Sequence, residues 1–416
     1  MWLGSGAHAR WLETESRALL DFARAARVPH GFGYLDDAGT VAPEAPAELW
    51  ITCRMTHSYA LGALLGIPGC APLADHGVRT LTDHFRDADH GGWYSAVRAD
   101  GPTNDAKEAY AHAFVVLAGA SAAAAERPGA RELLAEALQV SEERFWREDE
   151  GAVLESWDRA FTTAEEYRGV NANMHTVEAY LAAADVTGDD LWLERALRIT
   201  RRVLDGYARE YQWRIPEHFT ADWQPLPDYN DEDRAHQFRP FGATVGHWLE
   251  WARLVLHLRE SLLSRGMGAE NWMLESAREL FERSVSDGWH ADGADGFVYT
   301  VDFTGEPVVR ERMHWVVCEA LGAAAALQTV TGESRYGQWY ERWWDYAADH
   351  LIAEPGVWHH ELDATNTPSR TTWAGRPDIY HALQATLIGR LPMAPAFAPA
   401  LARRLLDNRH PVPPIR

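Results

Sequence analysis

Lysine is almost missing from this chain. Every basic side chain but one is arginine, the exception being Lys107, so Schiff-base chemistry would rest on that single residue and is not expected. Cysteine is scarce too. Cys53, Cys70 and Cys318 lie far apart, no two at metal-ligand spacing, and imply no disulfide framework. Positive charge is in deficit, with a formal net charge of −22, which argues against nucleic acid or an anionic membrane as partner. No apolar run approaches the ~18 residues of a membrane span. The start Met1-Trp2-Leu3-Gly4 lacks the basic and apolar regions of a signal peptide, so a cytoplasmic location is expected. There is no His-Glu-x-x-His, cysteine pair or Asp-rich calcium loop to bind a metal. Neither a Gly-x-Gly-x-x-Gly opening a helix nor a Walker sequence calls for a nicotinamide or phosphate cofactor. No metal and no cofactor are therefore expected, and no Ser-His-Asp signature is seen.

What is present is helical periodicity and an excess of tryptophan, 19 in all. The pattern predicts helices over about 7–27, 47–66, 72–86, 104–126, 130–147, 171–187, 189–209, 241–264, 270–287, 311–331, 334–351 and 377–390. Between helix pairs recurs a short Gly/Asp-rich segment with an aromatic or apolar centre, near residues 34, 94, 154, 213, 298 and 358. A fixed long period marks a repeated supersecondary unit, here a β-hairpin followed by two helices. The first helix of each pair is rich in small apolar residues, as in Ala113-Phe114-Val115-Val116-Leu117-Ala118, and reads as buried. The second is amphipathic. Six inner and six outer helices close most simply into an all-α (α/α)6 barrel, a single catalytic domain over 1–416. An open solenoid would need polar capping faces, which the ends lack. The Ala/Pro-rich tail after Leu391 reads as a surface helix and strap.

One gap in the period is longer by about 25 residues. This insertion, at about 220–240, carries Asp222, Asp228, Asp231, Glu232 and Asp233 and reads as a lid or binding loop, or equally as a tolerated surface insertion. It leads into Phe238-Arg239-Pro240-Phe241, then Gly246-His247-Trp248-Leu249-Glu250-Trp251. His247 and Glu250 stand three apart and so share one helix face, among aromatic neighbours where polar groups are either paired structurally or part of a site. Placed against the repeat, Arg54, Tyr110, His175, His247, Trp315, Glu319 and His381 fall near the starts of successive inner helices. Those starts gather at one end of a barrel. One cavity would then hold three histidines with arginine, tyrosine, glutamates and tryptophans. Each residue taken singly has a structural explanation, such as a buried ion pair for Glu250 or Glu319. Three histidines at equivalent repeat positions point to a site.

Several motifs resemble the N-acylglucosamine 2-epimerase superfamily. They are Cys53-Arg54-Met55, Lys107-Glu108-Ala109-Tyr110, Asn171-Ala172-Asn173-Met174-His175, Gly246-His247-Trp248-Leu249-Glu250 and Arg376-Pro377-Asp378-Ile379-Tyr380-His381. The Arg-Pro-Phe-Gly…Gly-His and Pro-Asp-Ile-Tyr-His elements are most similar to its aldose–ketose isomerase branch, which includes mannose and sulfoquinovose isomerases. The resemblance implies an (α/α)6 barrel. It also implies His247 and His381 as acid/base residues and His175 as a helper in ring opening or C1 proton handling. Arg54, Tyr110, Arg239, Trp315 and Glu319 would surround the sugar, with Asn171, Trp373 and Asp378 beside them and Glu250 orienting a histidine.

The chemistry agrees. Isomerisation moves a proton from C2 to C1 through a cis-enediol. Histidine exchanges protons near neutral pH, and a fixed guanidinium from Arg54 or Arg239 can hold the oxyanion. His381 would move the C2 proton and His247 would handle ring opening or the partner transfer, two roles that can be exchanged. The expected substrate is a free neutral monosaccharide, D-mannose first, acted on by a monomer or homodimer. The alternatives are a 2-epimerase with the two histidines flanking C2, a sulfoquinovose isomerase, an inverting glycosidase using Glu250 and Glu319, and a non-enzymatic protein-binding module.

Overall fold

The computed structural model describes residues 2–42 and 44–407. Its helices are α1 (Gly6–Phe22), α2 (Leu49–Leu64), α3 (Cys70–Thr80), α4 (Ala109–Ala124), α5 (Ala130–Val140), α6 (Val170–Thr187), α7 (Leu191–Thr200), α8 (Val245–Ser264), α9 (Asn271–Gly288), α10 (His314–Thr331), α11 (Ser334–Tyr346), α12 (Tyr380–Ile388) and α13 (Phe397–Ala402). All twelve helices expected from periodicity are present. Four outer ones, α3, α5, α7 and α11, run on into wider π turns, which is why the sequence pattern extends past their α-helical ends.

Composition sorts the helices into two layers. Nearly every side chain of α2, α4, α6, α8, α10 and α12 is buried, because small residues let other helices approach from all sides. Gly77 of α3 shows how close: a Cβ there would stand 2.0 Å from Thr56 Oγ1 of α2. Each inner helix packs on the next, and α12 returns to α2, so the ring is closed and is not a solenoid. The outer helices α3, α5, α7, α9 and α11 each pack on the inner helix that precedes them. The last inner helix, α12, takes its outer partner from the other end of the sequence, namely α1. Ser16 Oγ lies 2.6 Å from Thr386 Oγ1 across this closure, and Glu15 accepts hydrogen bonds from the Gly356 N–H and Trp358 indole, both 2.8 Å.

The β-structure is richer than the expected hairpins and partly different. Hairpins form at 27–32, 146–153 and 352–358. At the second and fifth positions they shrink to the single bridges Arg86–Trp93 and Trp289–Phe297. The fourth, at Tyr211–Ile215, is no hairpin: Gln212 and Trp213 have positive φ and the chain turns there. An unanticipated second set of ladders rings the mouth of the barrel. Residues just before an inner helix pair antiparallel with a strand of the next repeat, as Ala47–Glu48 does with 96–97 and Tyr167–Gly169 with His218–Thr220. The Leu35–Arg376 bridge joins the first repeat to the last. The inner-helix starts are thereby tied to one another at a single end.

The far end is closed by α13. The tail is thus not a surface helix there: Ala398, Pro399, Ala400 and Leu401 are buried and pack on α2, α4 and α6. Asp185 Oδ2 accepts the Ala396 N–H at 2.7 Å and fixes the entry of this plug. The end of the tail, 408–416, lies outside the described residues. Lys107 is 0 % exposed, with Nζ 3.1 Å from Asp87 Oδ2 and 4.6 Å from the centre of the Tyr94 ring. Among the described residues no helix is long and apolar enough to cross a membrane.

Candidate active site

A cavity opens at the inner-helix starts. Its walls include Arg54 of α2, Tyr110 of α4, Asn171 and His175 of α6, His247 and Glu250 of α8, Trp315 of α10 and His381 of α12, joined by Trp373 and Asp378. Of the twelve residues singled out in the sequence, ten therefore line one cavity. The two that do not, Glu319 and Arg239, have other positions.

Glu319 lies behind the wall. Its Oε1 is 3.0 Å from His381 Nδ1, and its Oε2 accepts Arg253 Nε–H at 2.7 Å. It supports His381 and does not face the cavity. Arg239 lies further out, in a second, wider chamber that shares Trp50, Tyr110, Asn171, Phe238, Pro240 and His247 with the first. It is held by Glu165 through two bonds of 2.8 and 3.0 Å and by Glu155 at 3.5 Å, with its guanidinium 4.1 Å from the centre of the Tyr167 ring. Phe238, its neighbour, reaches the boundary between the chambers and packs edge-on against Trp50, Tyr110 and Trp373.

The partner of His247 also differs from the expected Glu250. Its Nδ1 is 2.9 Å from Glu217 Oε2, a residue 30 positions upstream. Glu250 instead has Oε1 3.7 Å from His175 Nδ1 and 3.5 Å from Arg253 Nη2. An i, i+3 spacing brings two side chains to one face, but the Glu217 segment crosses closer to the imidazole. Two of the three histidines thus have Nδ1 hydrogen-bonded to a carboxylate, Glu217 for His247 and Glu319 for His381, whereas His175 Nδ1 stands 3.8 and 3.7 Å from Glu178 and Glu250, beyond hydrogen-bond reach. A ring that donates Nδ1–H to a carboxylate carries its lone pair on Nε2.

Trp315 lies between two of these rings, its centre 5.4 Å from His247 and 5.6 Å from His381. Gly246 makes room for it, since a Cβ there would stand 2.4 Å from the indole. Arg54 is fixed by Asp378 Oδ2 at 3.2 Å and donates to the Tyr110 hydroxyl at 3.0 Å. Its guanidinium stacks on Phe114 and Tyr380, 4.5 and 4.7 Å from the ring centres. Two further histidines had no signal in the repeat pattern. His314 and His360 line the same cavity with their rings stacked 3.8 Å apart.

Burial sets the charges. It lowers His381, and lowers His175 to about 4, so both are neutral imidazoles at pH 7. Burial together with the Glu319 charge raises the Glu250 carboxyl well above the usual range. Burial would raise Glu319 as well, but Arg253 and His381 outweigh it and hold that group below its ordinary value. His175, Glu178 and Glu250 bring three ligand-type atoms within 4.8 Å of one another. A cation already stands there, since Arg253 Nη2 lies 3.5 and 3.8 Å from the Glu250 and Glu178 carboxylates. The trio is therefore read as an ion-pair cluster.

The buried histidines make stability depend on pH. His57, His112, His257 and His314 are lowered by burial to about 4, 3, 3 and 3, as His175 is to about 4. Between those values and the unfolded value near 6.5 the unfolded chain binds more protons, so stability rises with pH across that window. It is fully present above pH 6.5 and lost as the pH falls toward 4. At pH 5 each such histidine removes roughly 2 kcal/mol. Thermal melts should show Tm falling steeply from pH 6.5 to 5 and staying flat from 7 to 8; a flat profile down to pH 5 would contradict neutral burial.

The closed (α/α)6 barrel with three histidines in one axial pocket agrees with the comparisons: the chain belongs to the N-acylglucosamine 2-epimerase family. The family model for N-acylglucosamine 2-epimerase matches residues 31–385. The chain is 53 % identical over 406 residues to a D-mannose isomerase of Thermobifida fusca, covering 97 % of this chain and 99 % of that one. A D-mannose isomerase of Pseudomonas cannabina pv. alisalensis is 50 % identical, with 96 % and 97 % covered. Among solved structures, a D-mannose isomerase superposes with a TM-score of 0.85 at 27 % identity over 93 % of this chain and 98 % of that one. A cellobiose 2-epimerase from Bacillus thermoamylovorans B4167 gives 0.79 at 20 % identity, with 92 % and 99 % covered, a likeness of fold.

Proposed function

We propose that this protein interconverts a free aldohexose and its ketose, D-mannose and D-fructose, by proton transfer between C2 and C1. The observation that carries the reading is the set of three histidines around one pocket, His247 and His381 each held at Nδ1 by a carboxylate. The two D-mannose isomerases that match nearly the whole chain support the same substrate.

In this reading His381 is the C2 base. It is neutral, its Nδ1–H is held by Glu319, and its Nε2 lone pair is available. Part of the Glu319 charge is taken up by Arg253. Glu217, which also accepts the Thr244 N–H, holds the His247 ring at Nδ1 and leaves its Nε2 facing the pocket side of the reaction. His247 accepts the anomeric hydroxyl proton at Nε2 and delivers it to the ring oxygen on opening, then shuttles the hydroxyl proton between O2 and O1. Arg54, fixed by Asp378 and Tyr110, stabilises the enediolate oxygen. His381 returns its proton to C1, with His175 beside it as a helper. Trp315 offers a flat apolar face to the sugar between the two transfer residues. The segment 220–240 acts as a lid, with Phe238 as the side chain that separates the pocket from the outer chamber and Arg239 as its anchor.

Glu250 and Glu319 do not suit a glycosidase, because both lie on Arg253 and only Glu250 reaches the pocket. The test is ¹³C NMR of D-mannose incubated with the protein. Fructose signals are expected. Glucose as the only product would make it a 2-epimerase, and turnover of no free sugar would revive the binding-module alternative.

A further inference from the structure

Arg253 is a cation with no place in the steps above. It lies on α8, one turn past Glu250, is 2 % exposed, and is absent from the walls of the pocket. Its guanidinium touches acids from three inner helices: Glu319 of α10 at 2.7 Å, Glu250 of its own helix at 3.5 Å and Glu178 of α6 at 3.8 Å. Tyr380 of α12, whose hydroxyl donates to Glu178, and His257 of α8 complete its titratable surroundings. The neighbouring chain has made way for it. Gly322 of α10, one turn past Glu319, has no backbone reason to be glycine, but a Cβ there would stand 2.8 Å from Arg253 Cδ.

We propose that Arg253 is a positioning residue for proton transfer: it anchors Glu319 behind His381 and pairs with Glu178 behind His175, so that one buried cation governs two of the three pocket histidines. The proposal rests on the isomerase reading for its kinetic part. A carboxylate held at both oxygens, by His381 on one and Arg253 on the other, cannot swing, and the imidazole is held with it. A carboxylate whose charge is shared with a guanidinium pulls less strongly on the imidazole proton. His381 then keeps its neutral, proton-accepting form. Its other charged and titratable neighbours are Arg54 of α2, Asp378 of the segment before α12, Tyr380 of α12, His314 of α10, His360 of the segment between α11 and α12, and His175 of α6. None of these touches Glu319, so the Arg253–Glu319 contact can be altered on its own.

The sign follows. Without Arg253 the whole Glu319 charge acts on His381, its imidazolium is favoured, and the neutral base is lost at a higher pH. Arg253→Met should lower kcat about 100-fold, leave KM for mannose within about threefold, and move the acid limb of kcat/KM up by about one pH unit. Arg253→Lys keeps the charge but loses the fork and should restore most of the pH profile with a severalfold loss in kcat. Gly322→Ala, which displaces the Arg253 stem and removes nothing, should shift the acid limb in the same direction by less, and it serves if Arg253→Met does not fold. The direct readout is the ¹⁵N titration of His381 in the sugar-free protein, assigned by difference with His381→Gln. It should move upward in Arg253→Met, or in Gly322→Ala. This readout needs no turnover, so a wild-type protein that makes no fructose would defeat the isomerase reading and still leave the positioning role tested. An unmoved His381 titration in a folded variant overturns the proposal, even if kcat falls, because Arg253 would then only stabilise the barrel.

Discussion

Replacing His381 by asparagine should lower kcat for mannose by about 10³–10⁴-fold, the upper range for removal of a positioned acid/base group, with KM changed by less than about threefold. The amide can still donate to Glu319, so the barrel and the pocket floor should survive. What is lost is the Nε2 lone pair. Incubation in deuterated water separates this from a general loss of fit: wild-type protein should exchange the C2 proton of mannose for deuterium, and the variant should not. Exchange at the wild-type rate in His381→Asn would remove the residue from the C2 step and transfer that role to His247.

The second large effect is expected at Glu217. Glu217→Gln should reduce kcat by about 10²–10⁴-fold, as when an amide replaces the carboxylate that fixes a catalytic imidazole's tautomer. The amide can turn its NH₂ toward Nδ1, which moves the proton to Nε2 and inverts the ring's donor and acceptor. Glu250→Gln is the internal control. Burial and the Glu319 charge already hold Glu250 as a neutral acid, so an isosteric amide should cost less than about tenfold. Parallel kcat measurements on the two variants decide between the geometry and the helix spacing. If Glu250→Gln is the more damaging, Glu250 is the residue that orients His247 after all.

That contrast also shows where sequence reasoning stops. The barrel was legible because burial on all sides demands small apolar residues, and six such helices recur at a near-constant period. Site residues at the starts of inner helices were legible for the same reason, since one repeat position maps to one place in the ring. Glu217 was not, because its approach to His247 depends on how the chain returns through the insertion, which no local spacing encodes. Arg253 carried a usable signal: an arginine inside Leu249-Glu250-Trp251-Ala252-Arg253-Leu254-Val255 must be neutralised if that helix is an inner one. His360 stands in the segment His359-His360-Glu361, which reads as hairpin. Its role as pocket wall depends on Glu361, whose carboxylate accepts the N–H groups of Thr371, Thr372 and Trp373 at 2.6, 2.8 and 2.7 Å and folds that loop over the cavity. The inter-repeat ladders are two or three residues long, too short to show a period-2 pattern.

The burial of Lys107 has a consequence for a protein that works among reducing sugars. Open-chain aldoses and ketoses condense with exposed amines, and the adducts rearrange into permanent glycation products. This chain offers them no accessible lysine. Its single one is sealed under Tyr94 against Asp87, and arginine supplies the rest of the cationic surface. Guanidinium, protonated at every physiological pH, is a poor partner for simple aldehyde condensation. The residue scarcest in the sequence is therefore the side chain most reactive toward the proposed substrate and product, and its near-absence leaves no accessible lysine for them to modify.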